Sequence, residues 1–228
     1  MATVPDKTHT SRAFEEELSE LRTRILTMGG RCEQLIEEAS RAMCERDGTL
    51  AARVEAADRQ IDADEIEIDE LTVRILALRQ PVGRDLRFLV MAFKVVTDLE
   101  RIGDEAANVA ERAAQLAELG APASAMQPAI QEMAHLTREI LHEALDAFVA
   151  QDETLARAVL ERDDEVDEMY GQILRQAMSY IGEHPDRVRV AMCIASTSKY
   201  LERIADHATN IAEMVVFLVS GRDVRHPG

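Results

Sequence analysis

Glu100, Asp104, Asn108 and Glu111 stand four, four and three residues apart, and Glu202, Asp206, Asn210 and Glu213 repeat the series about 102 residues later. On a helix turning roughly 100° per residue, each set falls within one narrow stripe and forms a line of oxygen ligands. Carboxylates gathered in this way repel one another at neutral pH unless protons or cations sit among them. The chemistry they suit is cation binding: oxygen ligands take Mg²⁺, Mn²⁺ or Ca²⁺, and iron where several carboxylates bridge ions. A single acidic pair at i, i+4 ordinarily decorates a solvated helix face. Here the intervening residues return with the acids, in Leu99-Glu-Arg-Ile-Gly-Asp-Glu-Ala-Ala-Asn-Val-Ala-Glu111 and again in Leu201-Glu-Arg-Ile-Ala-Asp-His-Ala-Thr-Asn-Ile-Ala-Glu213. A repeat of that length marks a duplicated supersecondary unit.

The duplication extends to the preceding helix. Ala42–Asp62 aligns without gaps on Ala147–Asp167, matching Asp47 with Asp152, Asp58 with Asp163 and Asp62 with Asp167 at an offset of about 105 residues. These helices therefore carry a second acidic row: Asp58, Asp62, Glu65 and Asp69 in one half, Asp163 and Asp167 in the other. If antiparallel neighbours turn these rows toward Glu100/Asp104 and Glu202/Asp206, several carboxylates meet in each half.

The elements that must position these rows are helices. Among 228 residues, 46% are hydrophobic and 4% aromatic, with no Trp; Ala, Leu, Glu and Arg abound, and no alternating strand pattern appears. Breakers at Asp47-Gly48, Gln80-Pro81-Val82-Gly83, Gly120-Ala-Pro122, Gln151-Asp152 and Gly182-Glu-His-Pro185 divide the chain into six expected helices, about 11–46, 49–79, 83–119, 125–150, 153–181 and 186–220. Short connections predict antiparallel packing. The expected fold is all-α, two tandem antiparallel three-helix bundles related by internal duplication, over residues 1–120 and 121–228, with residues 120–124 as the link. The third and sixth helices start in nearly continuous apolar stretches, Phe88–Val96 and Val188–Ala195, and should be the most buried.

A formal net charge of −17 repels phosphate backbones and argues against nucleic acid as a partner. Cys32, Cys44 and Cys193 lack CxxC spacing, which fits a reducing compartment. The apolar run near Met214–Val219 is too short to insert in a bilayer, so a cytoplasmic protein is expected. Glu132/His135 and Glu139/His142 both read as ExxH, the spacing of di-iron bundles, but they share one helix where those proteins use two. His207 lies beside the acidic row as a further candidate ligand, opposite Glu105 in the repeat. Arg74, Arg79, Arg84 and Arg87 cluster around the Pro81 turn, with Arg175, Arg187 and Arg189 in the matching region. In so acidic a chain Arg79, Arg84 and Arg87 are candidates for a partner contact.

Leu78-Arg-Gln-Pro-Val-Gly-Arg-Asp-Leu-Arg87, Asp98-Leu-Glu-Arg-Ile-Gly-Asp104, Tyr200–Glu213 and Gly221-Arg-Asp-Val-Arg-His226, in that order, resemble the PhoU family over nearly the whole chain. The resemblance implies a cytoplasmic accessory of the high-affinity phosphate ABC transporter, a homodimer with two three-helix bundles per chain. It further implies partnership with the transporter ATPase subunit and a membrane sensor histidine kinase, and repression of phosphate-starvation genes when phosphate is plentiful. The family's E/DxxxD motifs, which hold metal clusters in some members, map onto Glu100/Asp104 and Glu202/Asp206, with Asp58/Asp62 and Asp163/Asp167 on the preceding helices. The expected ion is Mg, Mn, Fe or Zn. The chain departs from the family pattern at Asp58-Arg-Gln-Ile-Asp62, less acidic than usual, and at Glu105, where His is common; the resemblance does not extend to equal metal loading of the halves. The other functional class open to these residues is a metal-dependent carboxylate-bundle enzyme or an iron-handling protein.

Overall fold

Asp47 and Asp152, matched by the duplication, each start a helix by the same device. Asp47 Oδ1 accepts the backbone N–H groups of Thr49 and Leu50 at 2.9 and 3.0 Å, and Asp152 Oδ1 accepts those of Thr154 and Leu155 at 2.8 and 3.2 Å. These bonds satisfy donors that a helix cannot pair internally. Asp47→Ala or Asp152→Ala is expected to cost about 1 kcal/mol, read in thermal unfolding as a loss of roughly 2–4 °C; wild-type Tm in both variants would show that the caps contribute nothing.

The computed structural model describes residues 7–120 and 126–221. Its α-helices are α1 (Lys7–Glu45), α2 (Gly48–Arg79), α3 (Gly83–Glu118), α4 (Gln127–Ala150), α5 (Glu153–Glu161), α6 (Asp163–Glu183) and α7 (Val188–Ser220), with a 3₁₀ turn at Pro185–Arg187 and no strand among the described residues. Helices α1–α3 form one antiparallel bundle and α4–α7 the other, so the expected all-α, duplicated architecture is the observed one. Residues 121–124 of the expected link and 222–226 of the terminal motif lie outside the described residues.

Two expected boundaries are corrected. The single helix expected over 153–181 is broken at Arg162, where the chain tightens into 3₁₀-type bonds from Arg162 N–H to Val159 C=O and from Glu165 N–H to Arg162 C=O. The Arg162 guanidinium is drawn onto α4, donating to Glu143 at 2.7 Å and Glu139 at 2.8 Å. Asp163, Asp164 and Glu165 then occupy the first turn of α6, where the positive end of the helix dipole favours them. The helix expected from residue 186 starts at Val188, because Pro185 opens a separate 3₁₀ turn.

Helices α3 and α7, the two apolar-starting segments, are innermost. Helix α3 packs on α1, α2 and α7, helix α7 packs on α4, α5 and α6, and α1 packs on α4. The buried side chains of both halves join in one cluster. Phe88 of α3 stacks on Phe148 of α4 across the halves, with ring centroids 5.3 Å apart. Gly29 lets α4 come close to α1: a Cβ there would lie 2.2 Å from Leu145 Cδ1. The same face is laced by Arg138 donating to Glu37 and by His142 Nδ1 beside Glu33 at 3.0 Å. All three cysteines are free. Among the described residues no helix is long and apolar enough to cross a membrane.

Candidate functional site

Antiparallel α2 and α3 bring the first two acidic rows together. Asp58 is half-buried, and its carboxyl is pushed up to about 6, first by burial and then by the charges of Asp62 and Asp104. Glu65 and Glu100 are raised for the same order of reasons, burial ahead of Asp69 and Asp62 for Glu65, and ahead of Asp104 for Glu100; burial alone raises Asp69. Arg101 moderates the charge, with Nε 3.3 Å from Glu100 Oε2 and Nη1 donating to Asp104 at 3.1 Å. Even so, Asp58 Oδ1 and Glu100 Oε2 are buried without a hydrogen-bond partner. A buried, unpaired carboxylate oxygen is costly, and a proton or a cation relieves it.

Gly103 makes that approach of α2 to α3 possible. A Cβ at Gly103 would stand 2.7 Å from Asp58 Oδ1 and 3.2 Å from Ile61 Cγ2. In the repeat its place is taken by Ala205, and the facing helix is the one that breaks, at Arg162, immediately before Asp163.

The second pair of rows converges on α6 and α7. Asp163 is pushed up to about 6 by burial, then by Asp206, Asp167, Asp164 and Glu202. Asp206 is likewise raised by burial and by Glu202, with Lys199 and His207 acting against the shift. This half carries its own cation: Lys199 Nζ donates to Glu202 at 2.5 Å, and that bond raises the lysine. The first half has Thr97 in its place. Among the described residues, no three Asp, Glu, His or Cys side chains already form a set that could close on one metal ion. The rows are assembled; capture of an ion requires their side chains to turn inward.

The lower members of the motif serve the joint between the bundles instead. Asn108 donates to Glu105 at 3.2 Å and Asn210 to Asp98 at 3.4 Å. Glu105 is 4% exposed and pairs across the halves with Arg203 at 2.9 Å. His207, a candidate ligand by sequence, places Nδ1 2.8 Å from Asp98 of α3. Sequence reasoning missed this α3–α7 joint, and the one signal that could have suggested it was mismatch within the repeat, Glu105 opposite His207 and Asp98 opposite Tyr200. The ExxH residues are dispersed in separate contacts, His135 beside Glu139, His142 beside Glu33 and Glu139 paired with Arg162.

The arginines around the Pro81 turn divide. Arg79 is bound in two places to Glu17 of α1, at 2.7 and 2.9 Å, and so staples α2 to α1. That double bond holds the Glu17 carboxyl below its ordinary range. Arg84 and Arg87 are exposed, with no ion pair among the described residues.

Fold and site together define a class: a duplicated helical protein whose halves each hold a carboxylate-lined pair of helices, packed on a shared core. The PhoU domain matches residues 25–113 and 130–215, one match in each half. The chain belongs to the PhoU family. It is 43% identical over 221 residues to the phosphate-specific transport system accessory protein PhoU homolog of Pseudomonas aeruginosa, covering 96% of this chain and 90% of that one. The Escherichia coli protein of the same name, PhoU, is 36% identical over 220 residues, again 96% of this chain and 90% of the relative. The crystal structure of PhoU from Pseudomonas aeruginosa superposes with a TM-score of 0.87 at 42% identity, over 92% of this chain and 100% of that one. The phosphate transport system regulatory protein PhoU from Streptococcus pneumoniae gives 0.85 at 27% identity, over 93% and 100%.

Proposed function

We propose that this chain is an accessory protein of a phosphate-specific transport system, working as a non-enzymatic negative regulator of the phosphate-starvation response. The observation that supports the accessory role is likeness in sequence and fold, over nearly the full chain, to proteins named as accessory proteins of the phosphate-specific transport system; the regulatory role follows from the family resemblance. In this reading it is cytoplasmic and homodimeric, and it links the transporter ATPase subunit to a sensor histidine kinase. No covalent step is required. A partner that binds one kinase state better than another shifts the population toward that state.

The acidic rows fit a hard or borderline cation, Mg, Mn, Fe or Zn, because two carboxylate oxygens in the first half, Asp58 Oδ1 and Glu100 Oε2, are buried without a hydrogen bond. Asp58, Asp62, Glu100 and Asp104 would hold it there, and Asp163, Asp167, Glu202 and Asp206 would hold it in the second half. A bound ion would neutralise the facing carboxylates of α2 and α3, and of α6 and α7. The cation differs between the two halves: Lys199 donates to Glu202, whereas Arg101 lies beside Glu100 and Asp104. Lys199→Gln is therefore expected to raise second-half affinity for Mn²⁺ by roughly fivefold, the equivalent of about 1 kcal/mol. Electron paramagnetic resonance of a Mn²⁺ titration reads this directly, and unchanged affinity would remove Lys199 from ion capture.

The regulatory reading is tested by deleting the gene in its own host. Phosphate-starvation genes should be transcribed even in high phosphate, and the tagged protein should co-purify with the transporter ATPase from phosphate-replete cells. Normal repression in the deletion strain would overturn it.

A further inference from the structure

The antiparallel crossing of α3 and α7 creates two grooves related by the duplication, one flanking the start of α3 and the end of α7, the other the start of α7 and the end of α3. They have diverged. In the second, Arg112 donates to Gln115 at 2.9 Å, Gln115 donates to Glu111 at 3.1 Å and Cys193 lies 3.9 Å from Gln115, so polar side chains line it. In the first, the residues matching Arg112 and Gln115 are Met214 and Phe217. With Leu86, Val90 and Met91 of α3 they line a groove of about 350 Å³. Leu86 and Val90 are 40% and 41% exposed, a large apolar display for a surface helix.

Its rim is cationic. Arg87 and Lys94, both lining the groove, and Arg84 one turn earlier are exposed and have no ion pair among the described residues. Cations without an ion pair among the described residues, set around an apolar floor, stand out in a chain of net charge −17. Glu213 is the one carboxylate among the lining residues. Leu86 to Lys94 spans about two helical turns, and a valley between two helices suits a third helix laid along it.

We infer that this groove, and not its polar counterpart, is a docking site for an amphipathic helix of another protein, seating two apolar side chains spaced i, i+4 between Met214/Phe217 and Leu86/Val90, with acidic flanks reaching Arg84, Arg87 and Lys94. The site rests on the regulatory reading only in supplying it with a partner surface. Complementary charge selects the acidic partner and speeds the encounter, while the buried apolar anchors hold it.

The test titrates the purified full-length protein with fluorescein-labelled 16-residue helical peptides bearing Leu at i, i+4 and Glu on both flanks, read by anisotropy. The Glu-flanked peptides should bind saturably, Lys-flanked versions at least tenfold more weakly, and Arg87→Glu/Lys94→Glu or Val90→Gln should each weaken Glu-flanked binding at least tenfold at unchanged Tm. Arg112→Ala, in the polar groove, should leave it unaltered. Absence of binding, equal binding of Glu- and Lys-flanked peptides, or full binding by the groove variants overturns the inference. So does a concentration-dependent doubling of mass in light scattering that Val90→Gln abolishes, since a second copy would then fill the groove. Normal repression in the deletion strain, by contrast, removes the regulatory reading and leaves the titration result standing.

Discussion

Phe148→Ala is expected to destabilise the whole chain by about 3–5 kcal/mol, a fall in Tm on the order of 10 °C for a chain of this length. Phe148 is fully buried, as is Phe88 to within 1%, and the two rings stack with an interplanar angle of 18°. Arg22 of α1 lies over the outer face of Phe88, 4.8 Å from its centroid. Truncation leaves a ring-sized cavity between α3 and α4, at the seam of the two bundles, and rigid helices collapse poorly into such a space. Because buried side chains of both halves form one cluster, the loss should appear as a single cooperative transition at lower temperature. Two separated transitions, with one half unfolding at the wild-type temperature, would show that the bundles are energetically independent.

Neutralising the first acidic row is expected to have opposite effects with and without metal. Asp58 is pushed up to about 6 in the folded chain, against about 3.9 in an unfolded one. The folded state therefore binds the proton more tightly. Its destabilising contribution is fully present above about pH 6 and is relieved as the pH falls toward about 4. Asp58→Asn with Glu100→Gln removes that burden, so the metal-free variant should melt higher than wild type at pH 7.5 and close to it at pH 4.5. Wild type should regain stability at pH 7.5 when Mn²⁺ or Mg²⁺ is added, by about 2.7 kcal/mol at a hundred times Kd. The variant should lose the first-half share of that gain. Equal metal-induced shifts in the two proteins would mean that Asp58 and Glu100 are not ligands, and a variant less stable than wild type at pH 7.5 would mean that their charge is not the burden described.

The same row shows how far unaided sequence reading reaches. A 3.6-residue period is a property of the chain itself, so the stripe of Glu100 and Asp104, its return at Glu202 and Asp206, and the helical class follow from spacing alone. Capping is equally local: Asp47 and Asp152 were matched by the repeat, and each caps a helix through residues two and three positions on. The break at Arg162 could not be read, because its cause, Glu139 and Glu143, lies some twenty positions away on another helix.

By itself the sequence determined a duplicated all-helical chain, the faces that carry acids and the faces that are buried, since these depend on periodicity and composition. Tertiary structure decided which candidates keep their freedom. Packing commits Arg79 to Glu17, His207 to Asp98 and Glu105 to Arg203; among the described residues it leaves Arg84 and Arg87 without an ion pair, and Asp58 Oδ1 and Glu100 Oε2 without a hydrogen bond. It also made Gly103 and Ala205, one methyl group apart in the repeat, face a straight helix and a broken one. Side-chain partners across helices are set by the distance and rotation of close-packed neighbours, and those are global properties that no local window of residues contains.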